Sequence, residues 1–169
     1  YLGEHGWFDK RWIYEESFRT PMVMRYPQLV KPGTRNNQLV MNLDIAPTLL
    51  EAAHVPVPAD MQGQSFLPLL KDRKAKGRDA IYYHYYENGE HSVSPHFGVR
   101  TVRWVLVRFY QKINAWELYD LIKDPHEMHN LYGQPGMERE EAAMKKVLVR
   151  LIRQYDDKDA LEIVGHAVE

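Results

Sequence analysis

The sequence predicts an α/β protein whose second half is α+β, with an antiparallel sheet packed by a long C-terminal helix. Short aromatic and apolar runs, separated by turn residues, follow one another between residues 81 and 121, as is typical of neighbouring antiparallel strands. From Met137 to Tyr155, apolar side chains recur at spacings of three, four and seven, which indicates an amphipathic helix. The first half has one strand-like run and two helical patterns, so we expect its sheet to be incomplete.

The elements of the first half follow from its apolar runs and turn residues. Residues 1–20 are aromatic and charged with little periodicity, and we interpret them as a loop region. Residues 21–26 are mostly apolar and precede a proline, which predicts a buried strand. Asp44 is a suitable N-cap for a helix through about Ala53, because an Asp side chain accepts first-turn N–H groups. A shorter helix is predicted over 65–70.

The character of the chain changes after a polar, mostly basic connector at residues 71–78. Four strands are predicted beyond it: Ile81–Tyr86, Phe97–Thr101, Trp104–Phe109 and Trp116–Leu121. The long helix comes next and is expected to cover one face of their sheet. We therefore divide the chain into residues 1–78 and 79–169.

Composition excludes several classes of protein. The chain has 169 residues, 44% of them apolar, which is the profile of one globular domain. Its 22 Lys and Arg against 23 Asp and Glu give a formal charge of −1, so bulk charge offers no argument for binding nucleic acid or an anionic membrane. No apolar run approaches the roughly 18 residues of a membrane helix. The absence of cysteine excludes a disulfide framework and a cysteine nucleophile within these residues.

Familiar single motifs of catalysis and metal binding give no assignment. The sequence has eight histidines, but none forms a His-x-x-x-His pair on a predicted helix. His126 and His129 lie three apart in a predicted loop and are weak as a zinc pair. There is also no Gly-rich phosphate loop and no Gly-x-Ser-x-Gly elbow. We predict no metal site from these residues.

The most informative segment is 3–21, an aromatic stretch that contains Lys10. A lysine ammonium is a strongly hydrated point charge, so placing it between aromatic walls is costly unless an anion meets it. Two interpretations stay open. The ammonium pairs at the surface with Asp9, Glu15 or Glu16, or it binds an anionic ligand.

The order of residues in this segment resembles a known enzyme family. Gly-Glu-His-Gly-x-x-x-Lys runs from Gly3 to Lys10, and Tyr14-Glu15 and an Arg-x-Pro that ends at Pro21 follow. Further motifs continue the likeness: 43–50 and 61–70, Trp116-Glu117-Leu118-Tyr119-Asp120-Leu121, Asp124-Pro125-His126-Glu127, and Asn130-Leu131-Tyr132. Together they are similar to the C-terminal half of the type I, formylglycine-dependent sulfatases of the alkaline-phosphatase-like superfamily.

This resemblance implies an alkaline-phosphatase-like α/β fold with an incomplete N-terminal part. Residues 1–78 would be the C-terminal remnant of the catalytic domain, and residues 79–169 its C-terminal subdomain. The implied activity is hydrolysis of sulfate esters of a sulfated amino sugar or glycosaminoglycan-type glycan, as in bacterial N-acetylglucosamine-6-sulfatase-like enzymes. At matching positions, Lys10 is a catalytic residue that binds a sulfate oxygen, and Tyr14 and Glu15 belong to the framework that anchors it.

The resemblance also points to a substrate-facing loop over 91–101. His96 is expected to act as a second catalytic residue that protonates the sugar side of the scissile ester. Arg100 and His91 are expected to bind the substrate, because a guanidinium suits anionic substituents. The alternatives are a structural hydrogen bond for the histidine and an exposed, unspecific strand side chain for the arginine.

Glu4 and His5 are expected to support Lys10, or ligands outside these residues, without touching a metal themselves. In the family, a calcium ion and a formylglycine made from Cys or Ser in Cys/Ser-x-Pro-x-Arg serve catalysis, and this sequence lacks that motif. We therefore expect a fragment that is inactive alone and binds neither cofactor.

The expected partners are a sulfated carbohydrate substrate and the missing N-terminal half of the enzyme. No nucleic acid and no membrane is expected, and the resemblance places the enzyme in the periplasm or outside the cell. Two alternatives remain. One is a phosphonate or phosphate-ester hydrolase of the same superfamily, because sulfate and phosphate share tetrahedral geometry, and the other is a non-catalytic carbohydrate-binding piece.

Overall fold

The computed structural model describes residues 1–8, 10–72 and 74–168, and the chain forms two compact units. One unit combines Tyr1–Pro21 with Tyr82–Glu169, and the other is Met22–Ile81. The predicted division, which keeps residues 1–78 together, does not coincide with these units. The difference arises because the first twenty residues supply apolar side chains to the sheet of the later segment.

The larger unit is built on a four-stranded sheet with the order β1-β2-β3-β4. The strands are β1 (Ala80–Tyr85), β2 (His96–Thr101), β3 (Trp104–Phe109) and β4 (Ala115–Asp120), and the helices are α1 (Glu15–Phe18), α2 (Ile45–Ala52), α3 (Leu67–Lys71), α4 (Glu138–Gln154) and α5 (Lys158–Val168). β3 pairs antiparallel with β2 and β4, and Leu106 lies opposite both Val99 and Leu118. The predicted antiparallel sheet is confirmed, with each strand within one residue of its expected position.

Helix α4 covers one face of this sheet, as its spacing predicts. It packs against β2 and β3 and buries Met144, Leu148, Leu151 and Ile152. Helix α5 packs on α4 and is absent from the sequence-based prediction. Its start is nevertheless a capped one, because the Asp157 side chain accepts the Ala160 N–H at 2.9 Å.

The N-terminal segment covers the opposite face. Trp12, Ile13 and Tyr14 are buried in one cluster with alternate residues of β3, including Val105 and Val107. Successive strand side chains point to opposite faces, so these two valines meet the segment while the residue between them faces α4. Most of the described residues in 1–20 are irregular, as the loop interpretation predicts, but the segment also contains the buried run 12–14 and the short helix α1, which it did not predict.

Gly98 permits this close approach. A Cβ at position 98 would lie 2.9 Å from Ile13 Cδ1 and 2.5 Å from the Leu106 carbonyl oxygen. Any side chain would therefore push the N-terminal segment away from β2 or distort the pairing of β2 with β3.

The smaller unit is organised around Asp44. Its buried carboxylate accepts the N–H groups of Met41 and Gln64, each at 2.8 Å, and pairs with the Arg78 guanidinium. The predicted helix is present as α2, but the Asp44 side chain does not cap it. The carboxylate instead joins the loops that flank α2, and the Asp44 carbonyl accepts the Thr48 hydroxyl at 2.6 Å.

The run 21–26 does not form the predicted strand. Val23 is 96% exposed, and within the described part of the chain no strand pairs with this run. An isolated strand has unpaired backbone groups and no face to bury, so an apolar run alone does not produce one. No helix in the described ranges is long and apolar enough to cross a membrane.

Candidate functional site

The segment that carries Lys10 begins with a closed loop. Leu2 and Phe8 form an isolated antiparallel bridge at its base. Gly3 has a φ of +128°, a backbone conformation that glycine adopts without the steric cost of a Cβ. The loop therefore turns back on itself just before Lys10.

Tyr14 fastens the segment to β4. Its hydroxyl donates to Glu117 Oε2 at 2.5 Å, and the Tyr119 hydroxyl donates to the same oxygen at 2.9 Å. Burial, followed by the negative charge of Glu117, raises the pKa of Tyr14, so its hydroxyl stays a neutral donor. This contact joins the Lys10 segment to the Trp116–Leu121 motif.

Glu15 is held from three directions. Its backbone N–H donates to Glu127 Oε2 at 2.7 Å, and its Oε1 accepts from Arg100 Nε at 2.7 Å. Its Oε2 lies 3.7 Å from Arg19 Nη1. Helix α1 is thus tied both to β2 and to the 124–127 loop.

Glu16 lies between two histidines. Its Oε2 is 3.5 Å from His5 Nε2, and its Oε1 is 3.6 Å from His126 Nδ1. The His5 ring also stacks on the Tyr14 ring, with a centroid distance of 4.7 Å. The loop before Lys10 and the turn after it are therefore packed together.

Side chains from these contacts line an open cleft of about 410 Å³. Two carboxylates (Glu15 and Glu16) and two guanidiniums (Arg19 and Arg100) lie along it, with the exposed His126 at its edge. Positive and negative side chains are balanced here. The cleft is consequently a framework of ion pairs and not a strongly basic anion site.

Lys10 is exposed, and its ammonium meets no side chain among the residues described. Glu15 and Glu16, two candidate surface partners, are engaged by arginine and histidine instead. The third candidate, Asp9, lies outside the described residues. Neither Glu15 nor Glu16 is therefore a partner of the Lys10 ammonium, and its binding of an anionic ligand stays a prediction.

His96 is placed differently from the expectation. It is the first residue of β2, is 0% exposed, and is enclosed by aromatic rings that include Trp12, Tyr85 and Phe109. Its Nδ1 lies 2.9 Å from the Ser94 carbonyl oxygen, which indicates an Nδ1–H donor and an Nε2 without a proton. Burial lowers the pKa of His96 to about 4. A neutral, enclosed imidazole does not favour the expected role of His96 as a proton donor, which stays a prediction.

Arg100 and His91 do not come together at one site. Arg100 is half-buried and uses its Nε on Glu15 and its Nη1 on the Thr101 carbonyl at 3.0 Å. These contacts give Arg100 a role in holding α1, and its expected role in binding substrate stays a prediction. His91 is 44% exposed on its side chain and lies 3.9 Å from Glu87.

Glu4 and His5, the two residues expected to support Lys10, make different contacts. Glu4 is exposed and accepts the Leu2 N–H at 2.6 Å, and this hydrogen bond lowers the pKa of Glu4. His5 packs on Tyr14 and faces Glu16, as described above. Only His5 is therefore tied to the turn that follows Lys10.

Comparison with known proteins matches the same parts of the chain: the Lys10 segment, the Trp116–Leu121 motif and the 124–127 loop. Residues 3–154 match the family described as N-sulphoglucosamine sulphohydrolase, C-terminal. The chain belongs to this sulfatase family. The match covers both compact units and includes Lys10, α1, the sheet and α4.

Similar proteins include sulfatases of known name. The N-acetylglucosamine-6-O-sulfatase of Bacteroides thetaiotaomicron is 45% identical over 163 residues, which are 94% of this chain and 29% of that protein. An ulvan-active sulfatase of Formosa agariphila is 30% identical over 98% of this chain and 39% of its own length.

A solved structure of BT4656 in complex with its substrate, D-glucosamine-2-N,6-O-disulfate, matches with a TM-score of 0.90 and 44% identity. The match covers 94% of this chain and 33% of that chain. The likeness confirms the predicted alkaline-phosphatase-like fold class. This sulfatase chain spans about a third of the length of the proteins that it matches.

The residues present do not fit the calcium and formylglycine that the resemblance implies. Residues 1–8, 10–72 and 74–168 contain no group of three or more His, Asp or Glu side chains that could hold a metal ion. The sequence has no cysteine and no Ser-x-Pro-x-Arg. No chemical step is therefore assigned to these groups here.

Sequence reasoning missed the functions of Glu117, Glu127 and His126. All three lie inside motifs that resemble the family, but only the fold brings Glu117 to Tyr14 and brings Glu127 and His126 to α1. The sequence offers one signal, because Glu127 follows the loop-forming Asp124-Pro125 pair, but its burial beside two other carboxylates is visible only in the fold.

A second buried polar cluster was also missed. Asp157 Oδ2 lies 2.6 Å from His84 Nδ1 and accepts the Tyr82 hydroxyl at 2.8 Å, while His84 Nε2 lies 2.9 Å from the Tyr110 hydroxyl. Burial alone would raise the pKa of Asp157, but these hydrogen bonds together with the Ala160 N–H lower it. Because the cluster is buried and its groups satisfy one another, it joins β1 to the start of α5 rather than forming a reactive site.

Proposed function

We propose that this chain is the C-terminal part of a sulfatase that hydrolyses the 6-O-sulfate ester of a sulfated amino sugar in a glycosaminoglycan-type glycan. The observation that carries the proposal is the 45% identity, over 94% of the chain, to an N-acetylglucosamine-6-O-sulfatase. The likeness to BT4656, whose structure contains a 6-O-sulfated glucosamine, supports the same sugar class.

Lys10 is the residue of this chain that would touch the sulfate. Its ammonium is exposed, and two nearby carboxylates are occupied by other partners. As the ester bond breaks, negative charge grows on the sulfate oxygens, and a preorganised cation lowers the energy of that state. The contacts of Tyr14, Glu15 and Glu16 would fix the segment that presents the ammonium.

His91 remains a candidate contact to the sugar, because its side chain is half-exposed and makes one long contact. Arg100 would contribute indirectly, by holding Glu15. Calcium, formylglycine and the general acid would come from other parts of the complete enzyme. Export to the periplasm or the cell surface is part of the proposal, and fractionation of cells that express the complete protein tests it.

A substrate comparison tests the proposal. The complete enzyme is assayed with N-acetylglucosamine 6-sulfate, with the 3-sulfate and with the 6-phosphate. We expect turnover of the 6-sulfate and at least tenfold less of the others. Preferential release of phosphate would favour a phosphate-ester hydrolase, and binding of the sulfated sugar without turnover would favour a non-catalytic module. Either result would contradict the proposal.

A further inference from the structure

Glu127 is the most deeply buried carboxyl of the α1 contacts. It is 1% exposed, and its Oε2 accepts the Glu15 N–H at 2.7 Å. Its Oε1 is also buried and meets no hydrogen-bond donor within the described ranges. Oε2 therefore has a hydrogen-bond partner, whereas Oε1 has none among the described residues.

The groups around Glu127 do not favour a negative charge there. The ionisable groups that face it are Glu15 and Glu16 of α1, Arg100 of β2, Tyr119 of β4 and Tyr1 of the N-terminal segment. Arg100 is committed to Glu15, and the two histidines nearby are directed at Glu16. An ionised Glu127 would be a third carboxylate in one buried cluster, without a cation of its own.

Ionisation would also leave a buried, unsatisfied oxygen. A carboxylate out of water is costly when neither a donor nor a cation compensates it. A proton on Oε1 removes the charge, which is the costlier of the two to bury, and Oε2 still accepts the Glu15 N–H. In agreement, burial and the charges of Glu15 and Glu16 raise the pKa of Glu127 to about 8.

We propose that Glu127 is a positioning residue that works as a neutral carboxylic acid, holding the Glu15 amide and thereby the turn that presents Lys10. The link to Lys10 rests on the proposed sulfatase function, whereas the protonation state does not. Above the pH at which Glu127 ionises, the cluster gains a negative charge and the turn is held less firmly.

The protonation state has a direct spectroscopic test. Infrared spectra of the complete protein at pH 7 should show the carbonyl stretch of a protonated carboxylic acid, because carboxyls with ordinary pKa values are ionised there. The band should disappear in Glu127→Gln and persist in Glu162→Gln, which changes an exposed glutamate of α5. Absence of the band, or its persistence in Glu127→Gln, would overturn the proposal.

Activity tests the positioning role separately. Glutamine is nearly isosteric with the neutral acid, so Glu127→Gln should keep kcat within about twofold at pH 7 and lose less activity than the wild type between pH 7 and 9. Glu127→Ala lacks an acceptor for the Glu15 N–H, and its kcat should fall at least tenfold while KM changes less. An inactive Glu127→Gln that folds would overturn the positioning role. If the wild type itself lacks sulfatase activity, the proposed function fails while the infrared test still stands.

Discussion

The Tyr14 hydroxyl donates a 2.5 Å hydrogen bond to Glu117 Oε2, although the two residues are 103 positions apart. One residue follows Lys10 by four positions, and the other lies in the middle of β4. Charge-assisted hydrogen bonds of this length are among the stronger ones in proteins. The contact joins the Lys10 segment to the Trp116–Leu121 motif, so the position of each depends on the other in this chain.

Removing this hydrogen bond should weaken the larger unit. Tyr14→Phe keeps the ring and deletes the donor, so the free energy of unfolding should fall by about 1.5–3 kcal/mol, the range for a hydrogen bond to a charged group. Tyr155→Phe is the matched control, because the Tyr155 hydroxyl has no hydrogen-bond partner among the residues that the structure covers. Denaturant unfolding measures both, and equal stability of the two variants would contradict the assigned role of Tyr14.

The strands could be predicted because their signal is local. In Trp104–Phe109, aromatic residues at both ends and β-branched valines at every second position favour a strand. The same reasoning failed for 21–26, where an apolar run without a neighbouring strand stays extended and exposed. It also failed for Trp12, Ile13 and Tyr14, because their burial depends on the face of a sheet that begins only at Ala80.

The candidate site likewise contains some features that the sequence predicts and others that only the fold shows. Lys10 could be chosen from the sequence, because an ammonium in an aromatic segment requires an explanation. The burial of His96 could not, because the aromatic rings that enclose it come from three separate stretches of the chain. Arg100 was expected to bind an anionic substituent of the sugar or to be an exposed, unspecific strand side chain, and only the fold shows that its guanidinium meets Glu15.

His96 should make the protein less stable in acid. Its folded-state pKa of about 4 lies below the ordinary value, so the unfolded chain takes up a proton between about pH 6.5 and 4 that the folded protein does not. The free energy of unfolding should therefore fall as pH drops through this window, by up to about 1.4 kcal/mol per pH unit from this group. His96→Phe fills the same space without titrating, and its stability should depend less on pH.

Urea unfolding at pH 7 and pH 5 measures this difference. His91→Gln is the control, because it removes a half-exposed histidine and should keep the pH dependence of the wild type. The same loss of stability in the wild type and in His96→Phe would show that His96 does not stay neutral in the folded protein.

Amide hydrogen exchange should be slower in the buried residues 12–14 than in the exposed run 21–26. Amides of β2, β3 and residues 12–14 are expected to exchange slowly, because they lie in or against the packed sheet. Amides of 21–26 should exchange quickly in the 169-residue chain. Mass spectrometry of peptic peptides resolves the two groups, and fast exchange over 12–14 would argue against the packing of this segment on the sheet.

The kinetics of Lys10→Ala test the central claim most directly. In the complete enzyme, with N-acetylglucosamine 6-sulfate as substrate, loss of a preorganised donor to the sulfate should lower kcat by on the order of 10²–10³. Lys10→Arg should recover only part of it, because a planar guanidinium does not reproduce a compact charge. Lys112→Ala, at another exposed lysine, should behave like the wild type. A folded Lys10→Ala enzyme with wild-type kcat and KM would contradict the assignment of Lys10 to the sulfate.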